Sequence, residues 1–379
     1  MGRLHFPQRS RQLAASFQNV KSNAYVAVIS DQENLNALAE RLKASPWVAI
    51  DTEADSLHAY PEKLCLMQVS YPDGDDLIDT LAKLDLTPIL RAFENHELIF
   101  HGADYDLRLL CRTYCYSPGR IFDTMLAARL LGETQFGLTH LVKKFLGVDL
   151  EKGPQKMDWA RRPLTPRMEA YARNDTRYLK PLSDLLRAAL EAKGRLGWLE
   201  ESCARLIRDC EQMPKADPDS DWRIRGSDRL EPRALAILRE LWKWREKEAI
   251  LANRPPFFVL SHDAMIEIAR IASDPESDFR TAIPRMPILR KKELIQAVHR
   301  GREIPEQELP SLRIRTFTRP TAGENERFNK LRDLRDKRAK ELGLDPTLIA
   351  SRGTLGALAK DWNGSSKELM DWQHSLLKP

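Results

Sequence analysis

The sequence predicts an α/β domain, a mixed sheet wrapped by later helices, followed by two small all-helical blocks. Three observations carry this reading. Between residues 25 and 101, short apolar segments with strand character alternate with amphipathic helical stretches. From Asp123 to about residue 195 the periodicity is mostly helical. Beyond a stretch rich in Pro, Asp and Ser at 212–232, the chain reads as helix on both sides of a second polar linker.

Residues 1–30 contain no acid and carry Arg3, Arg9, Arg11 and Lys21 without an apolar core, so residues 1–24 are expected to be a flexible lead and not a secretion signal. A first strand is expected at 25–30 and a helix at 32–43. Residues 47–55 and 64–71 read as a hairpin, with a short third strand at 76–79. A helix at 84–95, a buried strand at 97–101 and a helix from Asp104, expected as its N-cap, complete the first half. Breaks are expected at 147–154 and 162–166. The α/β domain is placed at 25–212, a linker at 213–227, the first helical block at 228–303, a second linker at 304–322 and the last block at 323–379. The first block opens with a long helix at 230–251, stopped by Asn253-Arg254-Pro255-Pro256, with further helices at 261–273, 275–282 and 287–300.

A chain of 379 residues has room for two or three domains. No apolar run approaches the roughly 20 residues of a membrane span, so no membrane partner is expected. No Gly-rich lysine loop is present, which argues against ATP-driven work. Cys65, Cys111, Cys115, Cys203 and Cys210 are odd in number and unpaired in spacing, as in a reducing compartment; a cytoplasmic monomer is expected. The net charge of +5 divides unevenly, with −2 in residues 1–220 and +7 in residues 221–379. An acidic half joined to a basic half suits a metal enzyme whose second part grips a polyanion.

Three segments concentrate the chemistry. Asp51 and Glu53 sit two apart after an apolar run, so on a strand both point to one face. Asp106 follows in His101-Gly102-Ala103-Asp104-Tyr105-Asp106. Tyr171 and Asp175 sit four apart in a helical stretch and share a helix face. Four carboxylates make a hard oxygen cage suited to two ions, Mg²⁺ or Mn²⁺, about 4 Å apart in a phosphodiesterase. In that scheme Asp51 bridges, Glu53 and Asp175 complete the first ion's shell, Asp106 helps to hold the second, and Tyr171 orients the attacking water. Each acid alone could be a surface charge or a helix cap; the joint pattern is far more specific.

The order Asp-x-Glu, Asp, Tyr-x-x-x-Asp is similar to the tyrosine-bearing branch of the DEDD exonuclease superfamily. Phe122-Asp123-Thr124 with Ala127-Ala128, Gly137-Leu138 and Asp158-Trp159-Ala160-Arg161-Arg162-Pro163-Leu164 resemble ribonuclease D. Leu230-Glu231-Pro232, Trp242, Trp244-Arg245 and Arg254-Pro255-Pro256-Phe257 resemble a helicase-and-ribonuclease-D C-terminal (HRDC) domain, and the last block a second, diverged copy. The resemblance implies a ribonuclease-H-like fold and a divalent-metal 3′→5′ exoribonuclease that trims structured RNAs with free 3′ ends, such as tRNA precursors. Candidate RNA contacts are His101, Trp244 and four arginines of the basic stretch 313–340, namely Arg313, Arg315, Arg332 and Arg335. The competing readings are a 3′→5′ DNA exonuclease and a nucleic-acid adaptor with a silenced site; the complete set of acids argues against the second.

Overall fold

Five strands, β1 (Val48–Ala54), β2 (Leu64–Tyr71), β3 (Gly74–Ile78), β4 (Glu97–Phe100) and β5 (Arg120–Asp123), form one sheet in the order β3-β2-β1-β4-β5. The computed structural model describes residues 28–151, 153, 157–212, 217, 219–312 and 319–378. β1 pairs antiparallel with β2 and parallel with β4, so the sheet is mixed. The expected hairpin is its centre. β5 was not expected: its four residues carry too little pattern to read as a strand, and parallel pairing with β4 creates it. Of the expected strand at 25–30, residues 25–27 lie outside the described residues, and Ile29 makes a single bridge to Ile78.

Alternation along the strands sorts the sheet into two faces. Val48, Ile50, Met67, Val69 and Tyr71 turn toward α1 (Gln32–Ala44) and α2 (Thr87–Phe93), joining Leu35, Leu38, Leu42, Ile89 and Phe93 in the main core. Leu66 and Leu77 turn the other way. They pack with Trp159, Met168 and Ala172 beneath a helix that carries part of the site. Around this frame lie α3 (Asp104–Tyr114), α4 (Thr124–Leu131), α5 (Leu138–Leu146), α6 (Pro166–Arg177), α7 (Leu179–Ala192) and α8 (Leu196–Glu211).

The chain divides into two compact units, one comprising Met1–Ala54, Leu64–Met213 and Arg319–Pro379, the other Asp55–Lys63 and Pro214–Thr318. The second unit is helical: α9 (Pro232–Ala252), α10 (Pro256–Val259), α11 (His262–Ala272) and α12 (Ile288–Glu303) enclose Leu235, Leu238, Leu241, Trp244, Met265, Ile268 and Leu294. The connection between β1 and β2 belongs to it, with Tyr60 packed against this core and its hydroxyl donated to Glu246.

The last block, expected to stand as its own small domain at 323–379, is grouped with the α/β unit. Its helices α13 (Ala322–Leu342), α14 (Pro346–Ile349), α15 (Arg352–Lys360), α16 (Trp362–Ser365) and α17 (Asp371–Leu377) place Leu331, Ile349, Leu355, Trp372 and Leu377 in the main core. Trp372 stacks on Trp198 of α8 at 4.9 Å between ring centroids. Arg195 donates to Leu130 O and to Leu342 O, each at 2.7 Å. Gly132, at φ +94°, lies so close to the Gly343 carbonyl that any Cβ would collide with it. Among the described residues no helix is long and apolar enough to cross a membrane.

Candidate active site

β1 delivers Asp51 and Glu53 side by side at its C-terminal end, as strand alternation requires. α6 delivers Tyr171 and Asp175 one turn apart. This helix is placed firmly. The Thr165 side chain caps it by accepting from Met168 N, and Pro166 fits its first turn. Met168 and Ala172 press on the sheet, and Ser70 of β2 hydrogen-bonds Thr176 at 2.7 Å. Arg177 bonds Asp75 of β3 at 2.7 Å, while the buried Arg173 donates to the Asp75 carbonyl. Asp51, Glu53 and Asp175 offer carboxylate oxygens that all lie within 4.8 Å of one another.

Asp106 comes from the first turn of α3 and is buried. Its partner is Thr52, whose hydroxyl donates to Asp106 Oδ1 at 2.5 Å. The turn before α3 is held by Asp123 at the end of β5. That carboxylate accepts from Gly102 N at 3.0 Å and Ala103 N at 2.9 Å, and also caps α4 through Met125 N at 2.8 Å. Ala103, not Asp104, is the N-cap of α3, because Asp123 takes the capping role. Asp104 instead pairs with Arg108 at 2.8 Å. Thr124 donates to Phe100 O at 2.9 Å, so its oxygen receives the Nδ1–H of His101, also at 2.9 Å. Burial lowers the His101 pKa below its ordinary value, despite the pull of Asp123.

These groups line one cleft of about 980 Å³, into which Asp51, Glu53, His101, Asp106, Tyr171 and Asp175 all open. Its electrostatics are those of crowded acids. Burial above all, then repulsion from Asp106, Asp175 and Glu53, drives the Asp51 pKa well up. Burial, followed by the charges of Asp175 and Asp106, lifts Glu53 to about 9. Asp106 rises to about 7 through burial, with the Thr52 hydrogen bond opposing. Asp175 rises to about 7 through burial, opposed by a hydrogen bond from Tyr171. Four crowded carboxyls, one buried and three partly buried, with oxygen donors only and too much negative charge suit a hard divalent cation, whose charge would cancel theirs. Gly153 closes over the Tyr171 ring, which leaves no room for a side chain at that position, and Trp159 flanks the ring at 6.1 Å.

The remaining candidates are dispersed. Trp244 is 5% exposed inside the helical unit, so its ring packs the core and presents no face to a base; this corrects the expected contact. Arg332 pairs with Asp333 at 2.9 Å; Arg335 bonds Asp336 and donates to Ala350 O at 3.0 Å. Arg313 and Arg315 lie outside the described residues. Thr52 was not singled out in the sequence, and Asp123 was noted only as part of a motif. Thr52 stands between two predicted acids and Asp123 within a quoted motif, but their contacts span 54 and 20 residues.

This chain is similar to known proteins in both sequence and fold. A family model described as 3′-5′ exonuclease matches residues 26–191, and an HRDC domain model matches residues 234–287. A ribonuclease D from Jannaschia sp. is 32% identical over 78% of this chain and 79% of its own length. One from Acidiphilium cryptum is 31% identical over 92% of this chain and 90% of its own. The crystal structure of Escherichia coli RNase D, described as an exoribonuclease involved in structured RNA processing, superposes with a TM-score of 0.74 at 25% identity, covering 94% of this chain and 99% of that one. With relatives this similar along most of its length, and both domain models in their expected order, the chain belongs to the ribonuclease D family of 3′→5′ exoribonucleases.

Proposed function

We propose that this enzyme trims structured RNAs such as tRNA precursors from a free 3′ end, releasing nucleoside 5′-monophosphates, at a pair of Mg²⁺ or Mn²⁺ ions. Asp51, Glu53, Asp106 and Asp175 would hold the ions, with Asp51 shared between them. Bound there, the ions would supply Lewis-acid stabilisation for the charge that builds on the phosphodiester oxygens. The observation that carries this reading is the convergence of Asp51, Glu53 and Asp175 oxygens within 4.8 Å in the cleft that Asp106 also lines.

The protein's own groups have distinct tasks in this scheme. Tyr171 favours the ionised form of Asp175 by donating to it, and its hydroxyl in the cleft orients the water that attacks. Thr52 likewise favours the ionised form of Asp106. Gly153 and Trp159 both pack near the tyrosine ring and limit its movement.

The test uses 5′-labelled RNAs with a 3′ overhang ending in hydroxyl or phosphate, a circular RNA, and a matched DNA, each with Mg²⁺ or Mn²⁺. A ladder shortening from the 3′ end of the hydroxyl RNA, with 5′-mononucleotide products and a block by the 3′-phosphate, is expected. Comparable cutting of the circle contradicts the end requirement, and preference for the DNA contradicts the substrate.

A further inference from the structure

Gln68 lies in the middle of β2, directly opposite Asp51 in the antiparallel pairing with β1. Residues opposite one another in such a pair project to the same face, with Cβ atoms about 4.5–5.5 Å apart. On its other side Gln68 is paired with Leu77 of β3. Asp51, Gln68 and Leu77 therefore form one row across the sheet, on the face that α6 covers.

This glutamine has no exposed surface, and neither its amide nitrogen nor its amide oxygen has a hydrogen-bond partner. Among the described residues it is the one side chain with two such orphaned atoms. Leaving a buried polar group unpaired costs about 1–3 kcal/mol, whereas a methionine of similar length would carry no such cost. Packing alone does not account for an amide here. The polar neighbour along the strand, Ser70, is already engaged with Asp75 at 2.5 Å and Thr176 at 2.7 Å. From α6 the covering residue one turn before Thr176 is Ala172, which offers only a methyl group. The acceptor left on this row is the carboxylate of Asp51.

We infer that Gln68 is a positioning residue of the active site, whose amide N–H donates to the Asp51 carboxylate when the site is loaded with its divalent ions. The inference rests on reading the acidic cluster as a metal site. An amide is suited to the task because it donates to one carboxylate oxygen, leaves the other for a cation, and adds no charge to a cluster that already has too much. It also explains how Asp51 is kept in one orientation although its own strand supplies no side-chain donor to it.

The test compares wild type with Gln68→Met, which keeps length and bulk but removes the amide, and with Leu77→Met, which disturbs the same packing layer. Four quantities are measured: the melting temperature of the metal-free protein, Mn²⁺ affinity by calorimetry, and kcat and KM on a short RNA across Mn²⁺ concentrations. The expected result is a metal-free Gln68→Met protein at least as stable as wild type, with Mn²⁺ binding weaker by about 10- to 100-fold. Its kcat should be recovered by raising Mn²⁺, and Leu77→Met should bind Mn²⁺ normally. If Gln68→Met melts early, Gln68→Asn, which draws the amide back by one methylene, provides the same comparison of affinities. Mn²⁺ affinity within twofold of wild type in both variants overturns the role of Gln68 while leaving the metal site standing. Wild type that binds no Mn²⁺ overturns the metal reading itself.

Discussion

Thr52 and Asp106, 54 residues apart, are joined by a hydroxyl-to-carboxylate hydrogen bond of 2.5 Å that ties the end of β1 to the first turn of α3. The bond connects the strand carrying Asp51 and Glu53 to the third acid of the site. It also counters burial, which holds the Asp106 pKa at about 7. Thr52→Val keeps the shape and removes the donor. Asp106 should then titrate higher still, and because a cation binds the ionised carboxylate, more metal should be needed near neutral pH. The expected result is a rate loss of about 10-fold at pH 6.5 and low Mn²⁺, shrinking at pH 8.5 or at high Mn²⁺. A pH-independent loss would assign Thr52 a purely structural role.

The crowded acids also predict how the metal-free fold responds to pH. Glu53 is raised to about 9, and Asp106 and Asp175 to about 7, in each case by burial first. A carboxyl with a higher pKa in the folded state stabilises the fold while protonated. That contribution is full below the ordinary carboxylate pKa of about 4 and is lost as pH rises through the folded values. With metal removed by chelator, the melting temperature should fall by about 5 °C or more between pH 6 and 9. Added Mn²⁺ should reverse the fall, most strongly at the alkaline end. A melting temperature that stays flat or rises over this range without metal would contradict the electrostatic account.

Tyr171 both donates to Asp175 and faces the cleft. Tyr171→Phe keeps the ring that Gly153 and Trp159 hold, so the fold should survive. A loss of about 10- to 1000-fold in kcat is expected, in the range for one positioned catalytic group. A kcat within twofold of wild type, measured at saturating RNA and metal, would remove Tyr171 from the mechanism.

The last helical block bears on stability before it bears on RNA. Trp372 is 4% exposed and stacked on Trp198, inside a core shared with the α/β unit. Trp372→Ala should cost about 3–5 kcal/mol, the usual penalty for emptying a buried tryptophan site. Melting temperature and activity should fall together on short oligonucleotides and on long structured RNA. A selective rise in KM for long RNA, with an unchanged melting temperature and a flatter salt dependence, would instead identify this block as a grip on the RNA backbone.

What the sequence disclosed and what it withheld follow from the range of the interactions. Asp51 and Glu53, or Tyr171 and Asp175, are spaced by the period of one strand or one helix, and such local geometry is readable in the residues themselves. The hairpin of β1 and β2 and the long helix α9 were legible for the same reason. β5 was not, because four residues become a strand only through their partner β4. Nor was the placement of the last block, since helical periodicity shows which face is apolar but not what covers it. Trp372 and Trp198 meet although they are 174 residues apart in sequence. Trp244 is a member of the buried core of the helical unit, which its local sequence does not disclose. The contacts of Thr52, Asp123 and Gln68 were hidden for a different reason: a lone polar residue acquires meaning only from a partner that lies far away in sequence or on the neighbouring strand.

The central claim is that Asp51, Glu53, Asp106 and Asp175 together hold the divalent ions on which hydrolysis depends. The most direct measurement is anomalous diffraction from crystals of the enzyme soaked in Mn²⁺ with a short RNA, in wild type and in Asp51→Asn, alongside exonuclease rates for both. The account predicts two anomalous peaks among these four carboxylates in wild type. In Asp51→Asn, at least one peak should be lost and the rate should fall by orders of magnitude while the fold is kept. Wild-type crystals without a peak at these residues, or Asp51→Asn hydrolysing RNA at the wild-type rate, would contradict it.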